Sequence, residues 1–166
     1  MKKRGQQSFG MSIEMIFSVF LIIVFLAFAI LGIVLFLNSQ KKVEVELFAQ
    51  DLQEAVDKSW VSDGGSDLFQ YNSLPSEIRY ACFVDLNQVG KGPNSDIYVN
   101  FRNPNSNLFF YPGDAISGRK DFKINHLDLN ISLRLKNPLC FKNENGKVKF
   151  YLKKDFIASP LVQVEA

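Results

Sequence analysis

The sequence predicts an α+β fold. A long N-terminal helix spans a membrane over its first half, and a C-terminal antiparallel β-sheet head packs on its second half. Three observations predict it: an uncharged apolar run, a helical period that continues beyond this run, and short alternating segments in the rest of the chain. They divide the chain into a basic leader, a transmembrane helix, an amphipathic continuation of this helix and an extracellular β-rich head, over 1–10, 11–38, 39–62 and 63–166.

The apolar run MIFSVFLIIVFLAFAILGIVLFL extends from Met15 to Leu37 without a charge. At about 1.5 Å per residue, this helix is long enough to cross a hydrocarbon core of about 30 Å. Three cations, Lys2, Lys3 and Arg4, precede the run. Because cytoplasmic flanks favour Lys and Arg, we expect a cytoplasmic N-terminus and an extracellular head in the cell membrane. The run is too long for the apolar region of an ordinary cleaved secretory signal.

A second helical signal follows the apolar run directly. In NSQKKVEVELFAQDLQEAVDKSW, apolar residues recur at steps of three and four up to Trp60, which marks one face of a helix. The stretch KKVEVELF also alternates like a strand, but the longer period and the lack of turn residues favour a helix. We expect it to end near Val61, before Gly64 and Gly65. Trp60 should then be mostly buried against the sheet.

The head shows strand signals separated by turns rich in Pro, Gly and Asn. The strongest is HLDLNISLRLK, where Leu127 to Leu135 alternate with polar residues. A turn at Asn145–Gly146 introduces another strand. The apolar stripe of the helix is available to cover one face of the sheet. The predicted strands are those in IRYACFVDL, DIYVNF, NLFFY and HLDLNISLRLK, that at 148–152, and a short one in SPLVQVEA.

Cys82 and Cys140 are the two cysteines of the chain. An even pair outside the cell favours a disulfide, which would contribute roughly 4 kcal/mol for a loop of this length. The alternative is two buried thiols that pack as small apolar groups.

The sequence contains no pattern that predicts an enzyme, a metal site or a cofactor. His126 is the one histidine, and it lacks Cys or carboxylate neighbours at ligand spacing. DLNQVGKGPNSD resembles a turn more than a calcium loop, because it lacks the alternating acids and the closing Glu. From Lys41 onward there are 16 Lys+Arg and 16 Asp+Glu, which does not favour nucleic-acid binding. Asn130-Ile131-Ser132 is a possible N-glycosylation acceptor.

The N-terminus carries a more specific pattern. KKRGQ and GMSIE precede an unbroken apolar helix, and together they resemble the class III signal peptide of type IV pilins, in particular that of archaeal members. The resemblance implies that a prepilin-type peptidase cuts after a glycine of the basic leader. It also implies that the mature helix is held in the membrane before assembly and then forms the core of a surface filament with other subunits.

Two cleavage positions are open. Cleavage after Gly5 would make Gln6 the first residue and Glu14 the ninth; cleavage after Gly10 would make Met11 the first and Glu14 the fourth. Glu14 is therefore the candidate assembly residue, since its carboxylate could pair with the new amine of a neighbouring subunit. Bacterial pilins place this Glu fifth, so an uncleaved signal-anchored protein with an extracellular binding or scaffold domain is the alternative.

Overall fold

The computed structural model describes residues 13–115, 121–155 and 159–165, with the exception of the side chain of Glu14. Helix α1 runs without a break over Ile13–Val61. The prediction of one continuous helix that ends near Val61 is thereby confirmed. The chain divides after Leu37 into two units, each of which contains part of α1.

The end of α1 follows from its local sequence. Ser62 donates from its backbone N and from its hydroxyl to the carbonyl of Ser59, at 3.3 and 2.7 Å. Gly64 and Gly65 then adopt φ values of 104° and 136°, which residues with a side chain rarely do. The predicted glycine stop is therefore confirmed, and the chain reverses into the first strand.

The head contains two antiparallel sheets. The first has the order β1-β6-β7, formed by Gly65–Tyr71, Val148–Lys154 and Val162–Glu165. The second has the order β4-β3-β2-β5, formed by Asp121–Phe122, Leu108–Tyr111, Tyr80–Phe83 and Leu139–Lys142. Asn145 and Gly146 both have positive φ, and the bridge Glu144–Lys147 closes the two-residue turn before β6.

The core lies between the second half of α1 and the inner faces of the sheets. Phe48 is fully buried, and its ring contacts those of Phe69, Tyr71 and Phe110 edge to face. The buried stripe of α1 consists of Val45, Phe48, Ala49, Leu52, Val56 and Ser59. The helical period of the sequence thus identified the face that packs on the head.

A second, smaller core covers the outer face of the four-stranded sheet. Ile97 and Phe101, from the segment between β2 and β3, are buried against Cys82, Val84 and Phe109. DIYVNF was predicted as a strand, and this is wrong. It contains a 3₁₀ helix over Tyr98–Asn100. The residues on either side of this helix, Ile97 and Phe101, both pack against the sheet.

The strongest predicted strand is also wrong. HLDLNISLRLK contains the short helix α2 over Leu129–Ser132, capped by the Asp128 carboxylate, which accepts from the backbone N of Ile131. His126 precedes it with a φ of 62°, a left-handed conformation that interrupts an extended chain. Leu133 is buried, but Leu135 is 76% exposed, so the alternating leucines do not share one face.

Four predicted strand regions are confirmed, as β2, β3, β6 and β7. The sequence analysis missed β1, β4 and β5. Trp60, expected to be mostly buried against the sheet, keeps 38% of its surface exposed and stacks on His126.

Candidate membrane-anchoring and assembly region

The first half of α1 exposes its apolar side chains in every direction. From Met15 to Leu37, each side chain is exposed except that of Val24, which is half-buried. None of the most apolar 18-residue stretch is buried in the protein. A core helix of a soluble protein would be mostly buried, so this segment is consistent with a membrane anchor.

The residues predicted to direct processing lie outside the described part of the chain. This applies to Gly5, Gln6, Gly10 and Met11. Glu14 lies in the first turn of α1, and its side chain is likewise outside the described part. Their roles stay predictions.

Beyond the apolar run, α1 carries a second set of exposed apolar residues. Val43 and Leu47 are 52% and 44% exposed. At 100° per residue, they lie on the face opposite the buried stripe. This face of the helix is therefore free to contact another molecule.

The head is fastened to the beginning of this second half of α1 by polar contacts. The hydroxyl of Tyr71 donates to the carbonyl of Glu44 at 3.0 Å. Burial, together with the nearby carboxylates of Asp51 and Glu44, raises the pKa of Tyr71. The Lys41 ammonium pairs with Glu77 and holds the pKa of the Glu77 carboxyl below its usual value.

A further polar cluster fastens the end of α1. Asp57 accepts from Gln53 at 2.8 Å and lies 2.8 Å from His126 Nδ1. The His126 ring stacks on Trp60, with 3.8 Å between the ring centroids. The buried Lys154 donates to the carbonyl of Trp60, in the last turn of α1, and to that of Ser62, which directly follows α1.

The sequence analysis found no neighbours of His126 at ligand spacing. In the structure it fixes the segment before α2 onto the end of α1. The sequence carried no signal for this contact, because Asp57 and His126 are 69 positions apart.

The predicted disulfide between Cys82 and Cys140 is present, with an S–S distance of 2.11 Å. The two residues are direct cross-strand partners in β2 and β5. Cys82 is buried as part of the second core. The bridge therefore joins two strands that belong to one sheet but are 58 residues apart in the chain.

The possible acceptor Asn130 is exposed on α2. Its side-chain oxygen accepts from Gln88 at 3.3 Å, and the Ser132 hydroxyl accepts from the backbone N of Val164 at 2.9 Å. The third residue of the acceptor triplet is thus engaged in the folded head.

The segment DLNQVGKGPNSD begins with a turn that its own hydrogen bonds stabilise. The Asp85 carboxylate accepts from the backbone of Asn87 and from the side chain of Gln88, at 2.9 and 2.8 Å. Within the described ranges, no three His, Cys, Asp or Glu side chains are placed to hold a metal ion.

Comparison with known proteins gives no relative: no family model, curated protein or solved structure matches this chain. The function is therefore inferred from the residues and their geometry.

Proposed function

We propose that this protein is a structural subunit, major or minor, of a type IV pilus-like surface filament, assembled through its N-terminal hydrophobic helix. One observation carries the proposal. Helix α1 continues from a segment that is apolar and exposed on all sides, up to Leu37, into a segment that packs one face on a β-rich head.

The exposed apolar segment needs a partner. Burial of one large apolar side chain contributes about 1.5–3 kcal/mol, so exposure to water of the 18 large apolar side chains that are exposed between Met15 and Leu37 would be strongly unfavourable. Lipid can cover them in a monomer, and the helices of other subunits can cover them in a filament. The exposed Val43 and Leu47 would extend the helix–helix contact beyond the lipid.

The N-terminal pattern supports processing by a prepilin-type peptidase. The leader would lie in the cytoplasm and the head outside the cell. Cleavage after Gly5 or Gly10 would create an amine close to Glu14 in the chain. In a low-dielectric setting, an unpaired charge costs several kcal/mol, so the amine of one subunit and Glu14 of the next would favour pairing.

The first test is the mass of the native protein purified from its own membranes. We expect a mature chain that lacks the first five or ten residues. A full-length chain would contradict processing and would favour the uncleaved signal-anchored protein with a binding or scaffold head.

The second test is Glu14→Gln, which keeps the size and polarity of the side chain but removes its charge. We expect filament yield to fall while the membrane-bound monomer pool is kept, because the variant loses the partner of the incoming amine. Ser18→Ala is the matched control. Ser18 lies one helical turn after Glu14 on the same face of α1, and its substitution should leave filament yield unchanged. Filaments at the normal level from Glu14→Gln would rule out Glu14 as an assembly determinant.

A further inference from the structure

An open cleft lies beside the Asn145–Gly146 turn of the head. It has a volume of about 550 Å³ and is lined by Gln70, Lys142, Glu144, Asn145, Lys147 and Lys149. Three of these six residues are cations and one is an anion. The chain from Lys41 onward has equal numbers of cations and anions, so this local excess does not reflect a generally basic head.

The charges of the cleft are not equally available. Lys142 Nζ lies 3.4 Å from the Glu144 carboxylate, so these two charges largely offset each other. Lys147 and Lys149 are exposed, and neither forms an ion pair with any residue in the ranges that the structure describes. Two ammonium groups therefore face solvent at one end of β6.

The contacts of the cleft place it near the beginning of the second half of α1. Tyr71 is the cross-strand partner of Val148, and its hydroxyl reaches the carbonyl of Glu44. Leu74 N donates to the carbonyl of Gly146 at 3.0 Å, which holds the turn at the same end of the head.

The segment that connects Glu44 to the apolar run is short. Glu44 follows Leu37 by seven residues. Seven residues reach about 25 Å when fully extended and about 10 Å as a helix. If the apolar run spans a bilayer, a connection of this length allows the lysines of the cleft to reach the lipid headgroups next to Leu37.

We propose that this cleft binds the phosphate groups of anionic lipids through Lys147 and Lys149. A negatively charged membrane surface attracts nearby lysines, and the attraction decays within a Debye length. The contact would hold the head against the lipid surface while the subunit is in the membrane. This inference rests on the membrane anchoring in the proposed function, but not on filament formation.

The test uses the full chain in lipid nanodiscs of phosphatidylcholine alone or mixed with phosphatidylglycerol. Lysines are acylated, and the rate at each is followed by peptide mass spectrometry. Exposed lysines at the other end of β5 and beside β4 serve as the internal reference: Lys91, Lys136 and Lys123. Relative to them, we expect Lys147 and Lys149 to react about fivefold more slowly in the anionic discs, and high salt should remove the difference.

A variant pair separates lipid binding from a general effect of charge. In the wild type, we expect anionic discs to protect the backbone amides of the turn before β6 from hydrogen exchange. Lys147→Gln/Lys149→Gln should lose this protection. Lys91→Gln/Lys136→Gln removes the same charge elsewhere and should keep this protection.

Three outcomes would overturn the inference. Equal acylation ratios in the two kinds of disc, with the chain inserted, would overturn it and leave the membrane anchor intact. Equal protection by inorganic phosphate in phosphatidylcholine discs would indicate a site for soluble anions instead. A chain that does not stay with the discs would overturn the membrane anchor and this inference together.

Discussion

The two halves of α1 have the same backbone conformation but opposite relations to their surroundings. From Met15 to Leu37, apolar side chains are exposed on all sides, whereas from Val45 to Val56 one stripe of them is almost completely buried. Exposure in the first half is consistent with a membrane anchor. Burial in the second half is that of an ordinary amphipathic helix on a sheet.

The comparison shows that apolar side chains have different roles in the two halves of one helix. In the second half, the period of the apolar residues decides which of them stabilise the head. In the first half there is no such period, and the apolar side chains there contribute nothing to the folding of the head. Four predictions test this difference.

The largest effect is expected from Phe48→Ala. Phe48 is fully buried among three aromatic rings, so its truncation should reduce the free energy of unfolding of the head by about 3–5 kcal/mol. Phe28→Ala makes the same change on the exposed half and should alter this free energy by less than about 0.5 kcal/mol. The measurement is denaturant unfolding in detergent, followed by Trp60 fluorescence. Equal losses in the two variants would contradict the distinction.

The disulfide should matter for the head alone. Cys82→Ala/Cys140→Ala should reduce the free energy of unfolding by about 2–4 kcal/mol, because the unfolded chain loses its cross-link. The helical circular dichroism that survives head unfolding in detergent should stay the same. An unfolding midpoint that does not change with reductant would contradict a native bridge.

A smaller effect is expected from Tyr71→Phe, which removes the hydrogen bond to Glu44. The free energy of unfolding should fall by about 0.5–1.5 kcal/mol. Since burial raises the pKa of Tyr71, its contribution is complete below the ordinary tyrosine pKa of about 10 and is lost as pH rises through the higher folded value.

The wild-type head should therefore lose stability above about pH 10 more steeply than the Tyr71→Phe variant. Tyr151→Phe is the control, because Tyr151 lies on the outer face of β6 and is 46% exposed. Parallel alkaline profiles for wild type and Tyr71→Phe would contradict this role.

The smallest effect is expected from Lys41→Gln. Lys41 holds the pKa of Glu77 below its usual value, so this contribution is present above the ordinary glutamate pKa and is lost as pH falls through the lower folded value. The two side chains are 35% and 43% exposed, so solvent screens the pair and the loss at neutral pH should be at most about 0.5 kcal/mol. Lys42→Gln removes the adjacent charge and should have no effect on the acid profile. Equal acid profiles of the two variants would argue against the ion pair.

Much of this architecture was accessible from local sequence. The helix, its end before Gly64 and the turn at Asn145–Gly146 follow from period and turn chemistry, which act over a few residues. The cysteines were also assignable, because the chain has two of them and the predicted compartment favours a bridge.

The failures share one cause, which is that partners distant in the chain overrule a local pattern. The alternation from Leu127 to Leu135 satisfied every local criterion of a strand, yet the segment forms a turn and a short helix, held by contacts of His126 with Asp57 and of Ser132 with Val164. β1 and β5 lacked a clear pattern, but each pairs with a neighbour far away in sequence. Backbone hydrogen bonding to a partner strand does not depend on side-chain alternation.

The sequence by itself determined that α1 is one helix with an apolar first half and a striped second half, since helical period and hydropathy are local properties. Only the tertiary structure decided that Trp60 stacks on His126, and that Lys147 and Lys149 share a cleft at the end of the head near Glu44. These placements depend on which strands pair and in which register. Register is set by packing between elements that are far apart in the chain, and no local stretch of sequence contains it.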